Sequence, residues 1–249
     1  MEEKKITLSV ALAVHNEEAN LADCLNSVKD FADEIVVVDG KSTDKTAFIA
    51  KSFGANIISA DNPPMFHINK QKALDACRGT WILQLDADEV VTAELKEEIK
   101  SVMSRESSAN GYYIPRKNYF LTHWLHKGGQ YPDAVIRLVR RGKARFPLES
   151  VHEQIAIEGE VGTLKNPLLH YPYKSRADYW RKAETYTTLT AKSLNNPSFI
   201  TYCILKPIQT FFLMYFRHKG FLDGLAGFEF ALYSALHYPM AYRKYKRGI

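Results

Sequence analysis

The chain has 249 residues, 46% of them hydrophobic and 24% charged, with a formal net charge of +5. This length suits one large α/β domain or one domain with an appended helical piece, and the composition excludes a disordered chain. Three cysteines, Cys24, Cys77 and Cys203, are odd in number and widely spaced. They argue for neither a disulfide framework nor a zinc site, and point to a reducing cytosol. The start, Met1-Glu-Glu-Lys-Lys5, is charged and runs straight into a strand, so no signal peptide is expected.

Leu8-Ser-Val-Ala-Leu-Ala-Val14 reads as a buried strand. Leu21, Cys24, Leu25 and Val28 then fall at the spacing of an amphipathic helix. Ile35-Val-Val-Val-Asp39 is a second buried strand that ends on an acid. Gly40-Lys-Ser-Thr-Asp-Lys-Thr46 supplies turn and cap residues for a helix running to Gly54. Asn56-Ile-Ile-Ser59 is a third strand, Ile68–Cys77 a helix stopped near Gly79, and Trp81-Ile-Leu-Gln-Leu85 a fourth strand. Alternation of this kind predicts a parallel sheet with crossover helices. Asp39 and Asp86 would then leave the sheet at one edge, where such sheets place ligands. Thr92 is expected to cap a helix bearing Leu95, Ile99, Val102 and Met103.

Residues 105–110 read as a linker between halves. Beyond it, 111–115, 135–139 and 143–146 are predicted strands and 123–131 a loop. Ser175 opens a helix whose expected buried side is Tyr179, Ala183, Tyr186, Thr190 and Leu194. From Phe199 onward there are seven Lys/Arg against two acids, so residues 1–198 balance and the tail holds the whole net charge. No apolar run in it reaches the roughly 18 residues of a membrane span. Mixed aromatic and basic residues in Phe211–Lys219 and Tyr242–Arg247 suit either an anionic membrane surface or a packed helical subdomain.

Asp86-Ala-Asp88 is the centre of the chemistry. Two carboxylates so close need a positive partner, and a divalent cation carrying phosphate oxygens is one candidate. An acidic turn capping the next helix is the other. The choice turns on the flanking motifs. Val14-His-Asn-Glu-Glu-Ala-Asn-Leu21, Val38-Asp-Gly-Lys-Ser-Thr-Asp-Lys-Thr46, Asn69-Lys-Gln-Lys-Ala-Leu74 and Gly79–Glu89 resemble, in order, the motifs of family 2 glycosyltransferases. Asn118-Tyr-Phe-Leu, Gly128–Asp133, Arg137–Gly142, Val151-His-Glu153 and Gly220–Gly224 resemble the lipopolysaccharide core β-1,4-glucosyltransferase-like branch.

The resemblance implies an α/β fold of the GT-A type: a Rossmann-like mixed sheet with helices on both faces, plus a C-terminal helical extension. It implies a GT-A domain over 1–174 (nucleotide-sugar half 1–105, acceptor half 106–174) and a basic, aromatic extension over 175–249. His15, Asn16, Glu17, Asp39, Ser42, Lys70 and Asp86 would bind the donor, a nucleoside-diphosphate sugar, with UDP expected. Asp86, Asp88 and His152 would hold Mg²⁺ or Mn²⁺, a Lewis acid for the diphosphate leaving group. Asp133 would be the base that takes the acceptor hydroxyl proton, with Glu153 as its rival. Lys70 is alternatively an exposed helix lysine. Arg137, Arg140 and Arg141 face either phosphate or solvent, and His123, Trp124 and His170 stand in the acceptor half.

The implied activity is metal-dependent, inverting hexosyl transfer to a saccharide or lipid-linked saccharide in cell-surface polysaccharide synthesis. The expected location is the cytoplasm, peripheral on the inner membrane's cytosolic face, with no nucleic-acid partner. Two other classes remain open: a non-catalytic sugar-nucleotide binder, and a nucleotidyltransferase. The second lacks its glycine-rich phosphate loop, since His15-Asn-Glu-Glu contains no glycine.

Overall fold

The protein is described by a computed structural model covering residues 6–105, 108–148 and 154–249. Its first half alternates β1 (Leu8–Val14), α1 (Leu21–Asn26), β2 (Glu34–Asp39), α2 (Thr46–Ser52), β3 (Asn56–Ser59), α3 (His67–Ala76), β4 (Trp81–Leu85), β5 (Glu89–Val91) and α4 (Ala93–Met103). Seven strands follow: β6 (Ala109–Phe120), β7 (His123–Trp124), β8 (Asp133–Arg140), β9 (Ala144–Arg145), β10 (Ala156–Ile157), β11 (Glu160–Thr163) and β12 (Leu168–Tyr173). Three α-helices complete the chain, α5 (Arg176–Ser193), α6 (Lys206–Phe212) and α7 (Gly224–Lys246). Two compact units result, one of residues up to 116 with 134–169, the other of 117–133 with 170–249.

In the first unit β1 is the central strand, paired in parallel with β2 on one side and β4 on the other. The sheet order β3-β2-β1-β4 continues to β8, which runs antiparallel to β4, and then to β6. Strand alternation sends Leu8, Val10, Leu12 and Val14 to one face, where Leu21, Cys24, Leu25 and Leu95 complete a core. Ala11, Val36 and Val38 face the other way and pack with Ala73 and Leu74 of α3 and with Cys77 just after it. Helices therefore cover both faces, and this explains why β1 and β2 read as continuous apolar runs. Register places Val14 opposite Asp39 and Leu12 opposite Leu85, so Asp39 and Asp86 do emerge at one edge. Gly79 permits the close approach of the turn before β4, since a Cβ there would lie 2.6 Å from the Ser9 nitrogen.

The second unit is built on an aromatic core. Phe120 meets Tyr179 and Phe230 edge-on, at centroid distances of 5.8 and 5.4 Å, an arrangement that ring quadrupoles favour. Ser175 caps α5 by accepting the Asp178 N–H at 3.0 Å. The buried stripe of α5 is Tyr179, Ala183, Thr187 and Ala191, whereas Tyr186 and Thr190 are exposed. That corrects the expected face: the small residues at i+4 let α7 approach, and Lys244 of α7 reaches across. Its ammonium is buried and satisfied by the Glu184 carbonyl (2.5 Å), Thr187 Oγ1 (2.9 Å) and Thr188 Oγ1 (2.8 Å). Lys244 is thus a structural tie and not part of the tail's free positive charge. The expected linker also ends early, because Ala109 and Asn110 already belong to β6.

Candidate active site

Three loops leave the same edge of the first unit's sheet. After β1, Asn16 adopts φ +55°, a left-handed conformation that Asn tolerates. The turn lets its N–H donate to Ser42 Oγ at 2.9 Å while its Oδ1 accepts from the Thr43 N–H at 2.8 Å. His15 Nδ1 donates to the Gly40 carbonyl at 2.8 Å. That carbonyl only accepts, so the proton sits on Nδ1 and Nε2 is left to accept from Asn16 Nδ2 at 3.2 Å. The Glu17 N–H donates to Thr46 Oγ1 at 2.7 Å, and its carboxylate accepts from Asn20 at 2.8 Å. After β2, the buried Asp39 accepts the Ser42 hydroxyl at 2.5 Å and the Ser42 N–H at 3.2 Å. His15, Asn16, Glu17, Asp39 and Ser42 are thereby laced into one wall.

The loop after β4 is held from beneath by charge. Asp86 Oδ1 lies 2.5 Å from Lys70 Nζ and Oδ2 lies 2.5 Å from Arg137 Nη2. Arg137, on β8 beside Gln84, also donates to Gln84 Oε1 and, at 2.8 Å, to Glu89 Oε1. Arg116 adds a longer contact to Glu89 at 3.4 Å. The Arg137 side chain is only 8% exposed and that of Glu89 is fully buried. Burial alone would raise the Asp86 carboxyl, but the charges of Arg137 and Lys70 outweigh it and hold Asp86 well below the usual carboxylate range. The Asp86 N–H closes the turn onto Glu89 Oε2 at 3.0 Å.

Two sequence alternatives are settled by these contacts. Lys70 is not an exposed helix lysine, since it is nine-tenths buried against Asp86. Arg137 faces neither phosphate nor solvent, because two carboxylates and an amide take its guanidinium. The Gln84–Glu89–Arg137 network was not anticipated. Its signal lay in two polar residues set inside apolar strands, Gln84 in Trp-Ile-Leu-Gln-Leu and Arg137 in Val-Ile-Arg-Leu-Val, each of which needs a buried partner.

Carboxylate oxygens are the donors that suit a hard divalent cation, and Asp86 with the half-buried Asp88 brings two such groups to this turn. The residues present therefore fit Mg²⁺ or Mn²⁺. His152 and Glu153 lie outside the described residues. Among the described residues, the three groups whose ligand-capable atoms converge are His123, His126 and Asp223 of the second unit. Asp223 there already accepts the backbone N–H groups of His126 (3.1 Å) and Lys127 (2.8 Å) and the His126 ring at 3.1 Å, which makes it a loop clasp.

Asp133 opens β8 and belongs to the second unit. Asn118 Nδ2 donates to Asp133 Oδ2 at 3.0 Å and to the Gln130 carbonyl at 3.1 Å. Asn118 Oδ1 accepts from His170 Nδ1 at 2.7 Å. Both Nδ2 partners are pure acceptors, so the amide can point only this way, and His170 must carry its proton on Nδ1. Asn118 and His170 were not assigned this part from sequence, because 52 positions separate them.

Residues 9–162 match the model of the family described as Glycosyl transferase family 2. The lipopolysaccharide core biosynthesis glycosyltransferase LpsC of Rhizobium meliloti is 33% identical, over 94% of this chain and 89% of that protein. An uncharacterized glycosyltransferase of Rickettsia bellii is 29% identical, over 89% of this chain and 80% of that one. Among solved structures, S. aureus TarS 1-349 in complex with UDP-GlcNAc superposes with a TM-score of 0.52 at 15% identity, over 98% of this chain and 92% of that one. The chain spans 46% of the longer TarS structure. With a family match over more than half of its length, a named relative aligned almost end to end and a sheet of this order, the chain belongs to glycosyl transferase family 2 and has its GT-A fold.

Proposed function

We propose that this family 2 glycosyltransferase is a metal-dependent, inverting enzyme that moves a hexose from a UDP-sugar to a saccharide or lipid-linked saccharide of the lipopolysaccharide core. It would work in the cytoplasm at the inner membrane's cytosolic face. The observation that carries the reading is the common sheet edge of Asp39 and Asp86, with Lys70 and Arg137 holding Asp86 as an anion. The name of LpsC supports the lipopolysaccharide context, and the UDP-GlcNAc complex of TarS supports the donor class.

In this reading the wall of His15, Asn16, Glu17, Asp39 and Ser42 receives the base and ribose. Asp86, whose two oxygens each hold a side-chain cation, serves the ribose and orders the turn. Asp88 is the firmer metal ligand by the family resemblance, which also implies His152 as the third. A bound Mg²⁺ or Mn²⁺ supplies Lewis-acid stabilisation of the departing diphosphate. Lys70 adds positive charge on the donor side. Asp133, oriented by Asn118, takes the proton of the acceptor hydroxyl as it attacks the anomeric carbon, with Glu153 as the rival base.

The test is UDP release from a panel of UDP-sugars with Mn²⁺ and a core-saccharide acceptor. Asp88→Ala is expected to lower kcat by at least about 100-fold, the scale of losing a single electrostatic stabiliser. Undiminished release from that variant refutes the metal role. UDP-sugar binding without turnover on any acceptor refutes the transferase assignment for this chain.

A further inference from the structure

Between Glu184 and Asp223 the chain contains no acidic residue, but it has Lys192, Lys206, Arg217 and Lys219. The same stretch holds most of the second unit's exposed large apolar side chains. Ile200, Ile204, Ile208, Phe212 and Phe216 recur at every fourth position and are 58, 43, 64, 58 and 50% exposed. Leu222 and Leu225, just past the turn, are 60 and 69% exposed. Single exposed apolar residues need no explanation, whereas a continuous ridge of them marks an interaction surface.

The backbone geometry keeps that ridge straight. In a plain α-helix a step of four residues overshoots one turn by about 40°, so five such positions would wind around roughly half of the cylinder. Residues 201–205 and 213–217 are instead π-helical, on either side of α6. A π turn holds more residues than an α turn, so steps of four fall short there and offset the overshoot. The opposite side is already occupied. Phe211 and Tyr215 pack on Phe228 of α7 at centroid distances of 5.7 and 5.6 Å. Tyr202 faces Tyr238 at 6.3 Å, and Lys206 lies 4.0 Å over the Tyr202 ring. One side of the segment thus belongs to the second unit's packing and the other faces out.

We propose that the outward ridge from Ile200 to Phe216, with Arg217 and Lys219 beside it, is the surface by which this protein lies on a bilayer containing anionic lipid. No helix among the described residues is long and apolar enough to cross a membrane. The segment is therefore suited to lying in the interface, its apolar side chains among the acyl chains and its cations at the phosphates. A second copy of the chain is the poorer occupant, because a two-fold contact through this acid-free segment would bring its cations near their own counterparts. The inference deepens the membrane placement proposed above and requires nothing of the donor chemistry.

Full-length protein is sedimented with vesicles of phosphatidylcholine containing about 30% phosphatidylglycerol, and with phosphatidylcholine alone. Wild type is expected to partition onto the anionic vesicles, less so as salt is raised. Ile204→Ser/Ile208→Ser/Phe212→Ser is expected to weaken partitioning by more than about tenfold, since these side chains supply the buried apolar area. Its circular dichroism and melting temperature should stay at wild-type values, because all three side chains are exposed. Arg217→Gln/Lys219→Gln is expected to weaken binding to the anionic vesicles several-fold and to leave phosphatidylcholine unchanged. Equal partitioning of the wild type and the triple variant overturns the proposal. So does light scattering that finds a lipid-free dimer which the triple variant dissolves. Vesicle binding with no UDP release strikes only the transferase reading, and UDP release with no vesicle binding strikes only this one.

Discussion

Replacing Arg137 by Met tests whether the loop after β4 is held by buried charge. Met keeps the side-chain volume but removes the hydrogen bonds to Gln84 Oε1, Asp86 Oδ2 and Glu89 Oε1. Removing one partner of a buried ion pair costs about 3–5 kcal/mol, because the remaining charge is left unsolvated. Here Asp86 keeps Lys70 at 2.5 Å, and Glu89 keeps the Asp86 N–H at 3.0 Å and, as a cation, the longer Arg116 contact at 3.4 Å, so about 3 kcal/mol is the appropriate figure. For a chain of this size that is a fall in melting temperature of roughly 6–12 °C. Arg137→Lys should recover little, because an ammonium cannot span the partners that the planar fork reaches together.

The pH dependence follows from the direction of the Asp86 shift. Its folded value is depressed, so its stabilising contribution is complete above the unfolded value near 3.9 and is lost as pH falls through the lower folded value. The share of Asp86 in the gap in melting temperature between wild type and Arg137→Met should therefore be complete at neutral pH and be lost as pH falls below about 3.9. Differential scanning calorimetry across that range is the assay. A fall under about 2 °C at pH 7, or a gap that does not narrow as pH falls below about 3.9, refutes the buried-charge account.

Three other predictions concern individual side chains. Asn118→Ala removes a charge-assisted hydrogen bond from Asp133 and should lower kcat about 10- to 100-fold at unchanged donor KM. His170→Ala should show a smaller loss that His170→Asn restores, because the Asn amide can donate from the position of Nδ1; equal loss in both variants refutes the positioning role. Burial pushes the Cys77 thiol up to about 12 and also raises that of Cys24. A disulfide reagent at pH 8 should therefore label only Cys203 in native protein and all three thiols in urea; rapid native labelling of Cys24 or Cys77 refutes the packing around them.

The alternation of strand and helix over residues 8–103 was legible because each element is short and local. β-branched runs, caps at Thr92 and Ser175, and glycine stops at Gly54 and Gly79 each report on a few adjacent residues. The parallel order follows from connectivity, and the coincidence of Asp39 and Asp86 at one edge follows from the order. Period alone misjudged α5. Tyr186 and Thr190 fit a helical face as well as Thr187 and Ala191 do, and only the approach of α7 selects the small residues. Lys244 counted as free tail charge for the same reason, until the fold set it against Glu184, Thr187 and Thr188.

From sequence alone, then, came the family, the class of sheet, the acidic turn at Asp86-Ala-Asp88 and the wall residues His15 to Ser42, all carried by motifs within a few positions of one another. Tertiary structure alone decided which groups charge-balance that turn. Arg137 lies 51 positions from Asp86, and its place inside an apolar run says that it needs a buried partner but not which one. It likewise decided that Asn118 and His170 orient Asp133, and that Ile200 to Phe216 form one straight outward ridge. A carboxylate's neighbours are set by which strands become adjacent and in what register. A helix's free face is set by what covers the other side, and neither of these is a property of any short stretch of chain.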